Sequence, residues 1–220
     1  MDFFQTINIY CERNSEFFFG EPINSITNFC YIIAGLIFLT KTFKDKLCQF
    51  LSIELILIGI CSFIFHTYAN ILGAILDTIS ILIFGFTYLY GANIRFLNLS
   101  RLLSILGTIA FIPFSFFVIS TIQFFFGYMN GSAFYFSYIF LFLGYSIYLR
   151  TINFFISKNL FICSIILSIS IFFRTIDQDL CFLFPIGTHF IWHILNTCVL
   201  GLSIFIIYKN KAKQDMLFNK

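Results

Sequence analysis

The sequence predicts an all-α integral membrane protein, a bundle of seven transmembrane helices with its amino terminus outside and its carboxyl terminus in the cytoplasm. Of the 220 residues, 60% are hydrophobic and only 10% are charged, whereas a soluble domain carries about 25% charged residues. The mean hydropathy is +0.94. The net charge of +3 comes from basic residues placed between apolar runs, so no nucleic-acid partner is expected.

Seven apolar runs have the length that a helix needs to cross about 30 Å of hydrocarbon. The chain has no internal repeat and no long linker, so we expect a single domain over residues 1–220. Its ends would be an outer amino-terminal segment at 1–24 and a basic cytoplasmic tail at 209–220. The predicted spans are 25–41, 49–67, 71–92, 102–122, 132–149, 159–175 and 187–208.

The basic residues predict the orientation of these spans. Of the 13 lysine and arginine residues, all but Arg13 and Arg174 fall on the same side of the predicted spans. The positive-inside rule places that side in the cytoplasm. The carboxyl tail is therefore expected inside, and the amino terminus outside.

The three histidines of the chain all lie at outer ends of predicted helices. His66 ends the second span, and His189 and His193 begin the seventh. Residues four apart share a helix face, with Cβ atoms about 5–6 Å apart, so these two imidazoles can bind one metal ion. A buried histidine is more often a hydrogen-bonded core residue than a ligand. Polar groups within a membrane are costly and tend to be functional, which favours the metal-site interpretation.

Two further polar residues fall near the same depth as the histidines. Three imidazoles with an open fourth position are typical of catalytic zinc, which activates water. Asp77 can act as general base toward that water, or it can orient a ligand histidine. Ser62 can stabilise an oxyanion, or it can bond to its own helix backbone. Together these residues predict metal-assisted hydrolysis of a carbonyl compound.

The outer segments hold a second polar group and two cysteines. Glu21, Asn24 and Asn28 share a helix face, and oxygen ligands of this kind suit calcium. An interfacial cap with solvated carboxylates is the alternative explanation, and the residues alone favour the cap. Cys11 and Cys181 both lie in outer segments, where disulfides persist, and they form the natural disulfide pair.

The ordered set of motifs resembles the alkaline ceramidase family, within the superfamily that includes adiponectin-type receptors and haemolysin III-like proteins. The superfamily elements are Ser62-Phe63-Ile64-Phe65-His66, Asp77 and His189-Phe190-Ile191-Trp192-His193. The ceramidase branch is indicated by Cys11-Glu12-Arg13-Asn14, by Glu21-Pro22-Ile23-Asn24-Ser25-Ile26-Thr27-Asn28, by Ile176-Asp177 before Cys181 and by Gly187-Thr188 before His189.

The resemblance implies a membrane amidase with a defined set of site residues. Zinc would be bound by His66, His189 and His193. Asp77 would activate water and Ser62 would stabilise the oxyanion. The resemblance also implies a disulfide between Cys11 and Cys181, and a calcium site on Glu12, Asn14, Glu21 and the Tyr10 carbonyl. The chain departs from the family at Ile9, where members with a calcium site carry an aspartate.

The leading hypothesis is a zinc-dependent intramembrane hydrolase that cleaves the amide of ceramide or a related N-acyl lipid. It would release a fatty acid and a long-chain amine, and its substrate would enter from the bilayer. The alternative is a non-enzymatic receptor or channel-like protein of the same superfamily with a structural zinc. A third hypothesis, an intramembrane metalloprotease, usually requires His-Glu-x-x-His, and Phe190 occupies the glutamate position.

Overall fold

The computed structural model describes residues 2–15 and 17–218, with side chains of the last helix described through Asn210. Asn219 and Lys220 of the predicted basic tail lie outside the described residues, as do Met1 and Glu16 of the predicted outer segment. Within the described ranges, helices are joined by short loops, and the only β-type pairing is an isolated bridge between Thr6 and Asn70.

Seven helical stretches are long and apolar enough to cross a membrane, so the predicted fold class is confirmed. The first of these stretches combines two consecutive helices, α1 and α2, and the seventh is the first part of α8. Their bounds are α1 Pro22–Thr27, α2 Phe29–Lys41, α3 Lys46–Tyr68, α4 Ile71–Leu97, α5 Arg101–Phe126, α6 Phe136–Leu149, α7 Phe154–Thr175 and α8 His189–Phe218, with short 3₁₀ helices at Met129–Tyr135 and Gln178–Leu180.

Most of the helices extend beyond the apolar runs because polar side chains cap them. The Asp45 carboxylate accepts hydrogen bonds from Leu47 N and Cys48 N at the start of α3. Ser100 and Asn153 accept from backbone amides in the first turns of α5 and α7. A side-chain acceptor replaces the missing partner of a first-turn amide, so α3 and α7 begin at Lys46 and Phe154, before the predicted starts at 49 and 159, and α5 begins at Arg101, next to the predicted start at 102.

The outside of the bundle is apolar. On α5, Phe116, Phe117 and Phe124 are 66%, 70% and 82% exposed. Monomeric soluble proteins rarely leave such a contiguous apolar surface in water. This surface and the seven spans make the protein an integral, multi-pass membrane protein.

An ion pair ties α3, α4 and α8 together at the end of the bundle that carries most basic residues. Arg95 donates to both carboxylate oxygens of Asp45, each at 2.7 Å. Asn210 of α8 donates to the Arg95 carbonyl at 2.8 Å. Burial alone would raise the pKa of Asp45, but the Arg95 guanidinium outweighs burial and holds that pKa below its usual value. The assignment of this end to the cytoplasm stays a prediction from the positive-inside rule.

The amino-terminal segment is fastened to the opposite end of the bundle by the predicted disulfide. Cys11 and Cys181 are bonded, with Cα atoms 5.1 Å apart across a sequence separation of 170 residues. Asp177 strengthens the junction, since its carboxylate accepts from Cys11 N at 3.0 Å. The segment before α1 is thereby held against the loop that precedes α8.

Removing this crosslink should lower stability. A disulfide that closes a long loop typically contributes about 2–4 kcal/mol, so Cys11→Ser should unfold at a lower temperature in detergent. Cys198→Ser is the matched control because Cys198 is an exposed free cysteine on α8, and its unfolding temperature should stay unchanged. Labelling of both Cys11 and Cys181 by alkylation of unreduced, denatured protein would contradict the pairing.

Candidate metal centre

Three buried histidines converge at the disulfide end of the bundle. His66 comes from the last turn of α3, and His189 and His193 come from the first two turns of α8. One nitrogen from each ring lies within 4.8 Å of the others. The ring centroids are 4.6 to 5.1 Å apart. Three imidazoles at this spacing can hold a single metal ion.

The loop before α8 fixes where this helix begins and therefore where His189 points. Asp177 Oδ1 accepts from Thr188 N at 2.6 Å and from His189 N at 2.9 Å. Gly187 has φ +65°, and a Cβ atom there would collide with the Asp177 carboxylate. A remote aspartate thus supplies the amino-terminal cap of α8, and only glycine at 187 leaves it room.

A buried carboxylate and an arginine orient His66. His66 Nδ1 lies 2.6 Å from Glu21 Oε2, and Arg13 Nε donates to Glu21 Oε1 at 2.6 Å. Arg13 also donates to the His66 carbonyl at 3.0 Å. Burial alone would raise the pKa of Glu21, but hydrogen bonds from His66 and Arg13 outweigh it, so the pKa lies below its usual value. The Glu21 carboxylate accepts from His66 Nδ1–H, so Nε2 is the ring nitrogen that is left to face a metal ion.

A threonine hydroxyl orients His193 in the same way. Thr27 Oγ1 lies 2.8 Å from His193 Nδ1, and also 2.9 Å and 3.0 Å from the carbonyls of Ile23 and Asn24. A hydroxyl has one proton, and Thr27 donates it to these carbonyls. The Thr27 oxygen must therefore accept from His193 Nδ1–H. This leaves His193 Nε2 unprotonated and available to a metal.

Tyr10 covers the third imidazole. Its ring stacks on His189 with a centroid distance of 3.7 Å and also contacts His66 at 5.2 Å. Among the described residues, neither His66 Nε2 nor His189 Nδ1 has a hydrogen-bond partner, although both atoms are buried. Buried nitrogens without partners are rare. Two of them in a cluster of oriented imidazoles fit a divalent metal ion.

The structure places Asp77 and Ser62 beside the histidines. Asp77 lies in the second turn of α4 and Ser62 lies one turn before His66 on α3, so both are at the end of the bundle that holds the histidines. Asp77 Oδ1 is buried and has no hydrogen-bond partner among the described residues. One oxygen of the Asp77 side chain is thus without a protein partner at the end of the bundle that holds the three imidazoles.

Arg174, which was not predicted as a site residue, contacts Trp192, the residue that precedes His193 on α8. The Arg174 guanidinium lies over the rings of Tyr135 and Trp192, 5.5 Å and 5.7 Å from their centroids. It also donates to Ser132 Oγ at 3.2 Å and to the Asn130 carbonyl. The sequence did mark Arg174 in one respect, since it is one of only two basic residues that the predicted topology places on the outer side.

The residues implied to bind calcium have other partners in the structure. The two Glu12 oxygens accept from Ile23 N at 2.6 Å and from Asn24 N at 2.8 Å, which caps α1. Both Glu21 oxygens are also engaged by protein donors. The remaining members of the set are the exposed side chain of Asn14 and the carbonyl of Tyr10, which accepts from a backbone amide. The implied calcium site stays a prediction, and these hydrogen bonds weigh against it.

No protein-family model, curated protein sequence or solved structure matches this chain.

Proposed function

We propose that the protein is a zinc-dependent amide hydrolase that cleaves ceramide or a related N-acyl lipid within the membrane. The products would be a fatty acid and a long-chain amine. One observation carries the proposal, namely three converging imidazoles inside an apolar bundle, with an unpartnered, buried oxygen of Asp77 at the same end of that bundle. The resemblance of the same residues to the alkaline ceramidase family supports it. We propose that the site faces the extracytoplasmic side.

The donor set favours zinc over the hard cations. His66, His189 and His193 offer three imidazole nitrogens, and a three-nitrogen site with an open position is typical of catalytic zinc. Zinc held there supplies Lewis-acid chemistry and lowers the pKa of water toward neutrality. The hydrogen bonds that His66 and His193 donate to Glu21 and Thr27 fix the ring nitrogens that would face it, as partners of metal-ligating histidines commonly do.

Asp77 and Ser62 would serve the two remaining needs of amide hydrolysis, proton transfer and stabilisation of the developing negative charge. Asp77 Oδ1 accepts a proton from the attacking water and returns it to the amide nitrogen as the carbon–nitrogen bond breaks. The Ser62 hydroxyl donates a hydrogen bond to the carbonyl oxygen as negative charge develops there. Water plus the amide thus gives the carboxylic acid and the amine, with no redox partner required.

The function is tested by incubating purified, zinc-loaded protein with ceramides and other N-acyl lipids. We expect equal amounts of fatty acid and amine from at least one lipid class, loss of release with a zinc chelator, and recovery when zinc is restored. Zinc-loaded, folded protein that releases nothing from the whole panel would contradict the proposal.

The hydrogen bond from His193 to Thr27 makes a separate prediction about zinc affinity. Thr27→Val keeps the branched shape but removes the hydroxyl, so zinc affinity should fall by about 10–100-fold. Thr27→Ser keeps the hydroxyl and should retain most of the affinity. Affinity is measured by competition with a chelating dye, which does not depend on turnover.

The matched control for this prediction is Thr197→Val, since the Thr197 hydroxyl donates to the backbone carbonyl of His193 rather than to its ring. That variant should bind zinc as the wild type does. Equal zinc affinity in Thr27→Val and wild type would show that Thr27 does not orient the imidazole.

A further inference from the structure

A groove of about 650 Å³ lies on the lipid-facing side of the bundle, between α3, α4 and α5. Each helix contributes three lining residues, and most of them are apolar or aromatic. Phe50, Ile105 and Ile109 are 54%, 47% and 54% exposed, so the groove opens outward toward the acyl chains of the membrane. Its volume falls within the range of about 300–1,000 Å³ that is typical of sites for small ligands.

The groove is about as long as one membrane leaflet is thick. It reaches Phe86 on α4, eleven residues before this helix ends at Leu97, which corresponds to about 16 Å along the axis. Half of the hydrocarbon core measures about 15 Å. On α3 and α5 the lining lies within the first nine residues, at the same end of the bundle. One acyl chain of a lipid in the adjoining leaflet therefore matches the groove in length.

Two basic residues stand at the mouth of the groove. Lys46 is the first residue of α3, lines the groove and is exposed. Arg101 is the first residue of α5 and precedes Ile105 by four positions, which places it on the groove side of that helix. Neither side chain forms a salt bridge among the described residues, and the neighbouring Asp45 is already paired with Arg95. The mouth therefore carries two positive charges that no described acidic residue neutralises.

We infer that this groove binds an anionic phospholipid of the adjoining leaflet, with the phosphate beside Lys46 and Arg101 and one acyl chain along the groove. Basic pockets between transmembrane helices recognise acidic head groups in this way. The predicted orientation makes this the cytoplasmic leaflet, where anionic lipids are concentrated. A lipid with an uncharged head group, such as the proposed substrate, would leave both charges unused. The groove lies at the opposite end of the bundle from the histidines, so the inference is independent of the proposed function.

Native mass spectrometry of the purified protein in a neutral detergent measures the lipid preference directly. The probes are phosphatidylglycerol and phosphatidylcholine with identical acyl chains, so that only the head group and its charge differ. Each basic residue near an anionic lipid contributes about 5-fold to binding. One phosphatidylglycerol should therefore bind to the wild type on the order of 25-fold more tightly than one phosphatidylcholine.

Variants that remove the positive charges locate the site. Lys46→Gln and Arg101→Gln should each reduce the preference about 5-fold, and the double variant should bind the two lipids about equally. Lys158→Gln is the matched control because Lys158 is an exposed basic residue in the second turn of α7, near the same end of the bundle, and does not line the groove. Thermal unfolding of the groove variants should be unchanged or improved, because a positive charge in the first turn of a helix is unfavourable.

A second pair of variants tests the apolar part of the groove. Thr108 lines the groove on α5, so Thr108→Phe should fill part of it and weaken the binding of both lipids without changing the ratio of their affinities. Ser120→Phe is the control because Ser120 is exposed on the same helix and lies outside the groove. Glycerol phosphate carries the phosphate without an acyl chain, and it should not displace the bound phospholipid even in large excess.

Equal affinity of the wild type for the two lipids would overturn the inference, as would a preference that survives in the double variant. Displacement by glycerol phosphate would show that the phosphate alone is bound and that the groove holds no chain. A groove filled by a second copy of this chain would give dimers without bound phosphatidylglycerol, which would also contradict the inference. Failure of the protein to hydrolyse any N-acyl lipid would leave these results unaffected, since none of the measurements requires turnover.

Discussion

His193→Ala should abolish hydrolysis and remove zinc from the purified protein. His193 supplies one of three ligand nitrogens that lie within 4.8 Å of one another, and a site with two remaining imidazoles no longer matches catalytic zinc. His189→Ala should behave in the same way. Elemental analysis of the folded variants measures the zinc content, and fatty acid release measures the activity.

Ile194→Ala is the control for these variants. Ile194 is the next residue on α8 and its side chain is 41% exposed on the apolar surface, so both zinc content and activity should match the wild type. One zinc per molecule in both histidine variants would show that the metal is bound elsewhere.

Asp77→Asn should keep zinc and fold but lose roughly 10²–10⁴-fold in rate, as expected when a general base is removed. An uncompensated charge in the bundle would be costly, on the order of 2.5–3.5 kcal/mol on insertion scales. Oδ1 of Asp77 has no protein partner among the described residues. We therefore expect this oxygen to contact the reacting water rather than to hold a histidine.

Turnover and zinc affinity, measured on the same preparation, separate the two roles of Asp77. A fall in zinc affinity of about 10–100-fold would instead indicate that Asp77 orients a ligand. Glu54→Gln is the control, since Glu54 is another buried membrane carboxyl, bonded to Thr87 at 2.8 Å and outside the metal centre. Unchanged turnover and affinity in Asp77→Asn would remove it from the mechanism and strengthen the receptor alternative.

The helices and the meeting of the histidines were predictable from sequence for the same physical reason. A lipid environment requires long apolar helices with internally satisfied backbones, so hydropathy alone located the seven spans. Alternating direction then placed the end of α3 and the start of α8 on one side. His66 lies at the end of α3 and His189 at the start of α8. The predicted topology therefore placed both histidines at the same depth in the membrane.

The residues that orient the ligands were not predictable in this way. Thr27 and His193 are separated by 166 residues, as are Cys11 and Asp177. Such hydrogen bonds depend on how the helices pack and on which rotamer each side chain adopts, and neither leaves a periodic signal. Thr27 was only one residue of the stretch that resembled the ceramidase family.

Arg13 binds Glu21, one of the residues implied to bind calcium, and this pairing was not predicted. In the sequence it is an exception to the positive-inside pattern, with no assigned partner. In the structure it is buried and paired with Glu21, which also contacts His66. The spacing of Glu21 and Asn24 identified a shared helix face but not the arginine that reaches this face from the preceding loop.

The most direct test of the central claim combines zinc analysis with hydrolysis in heavy-oxygen water. Purified protein with one zinc per molecule should release fatty acid that carries one heavy oxygen atom, together with an equal amount of amine, and both should disappear when zinc is removed. Release that continues unchanged without zinc, fatty acid that carries no heavy oxygen, or zinc-loaded protein that cleaves no N-acyl lipid would contradict the account.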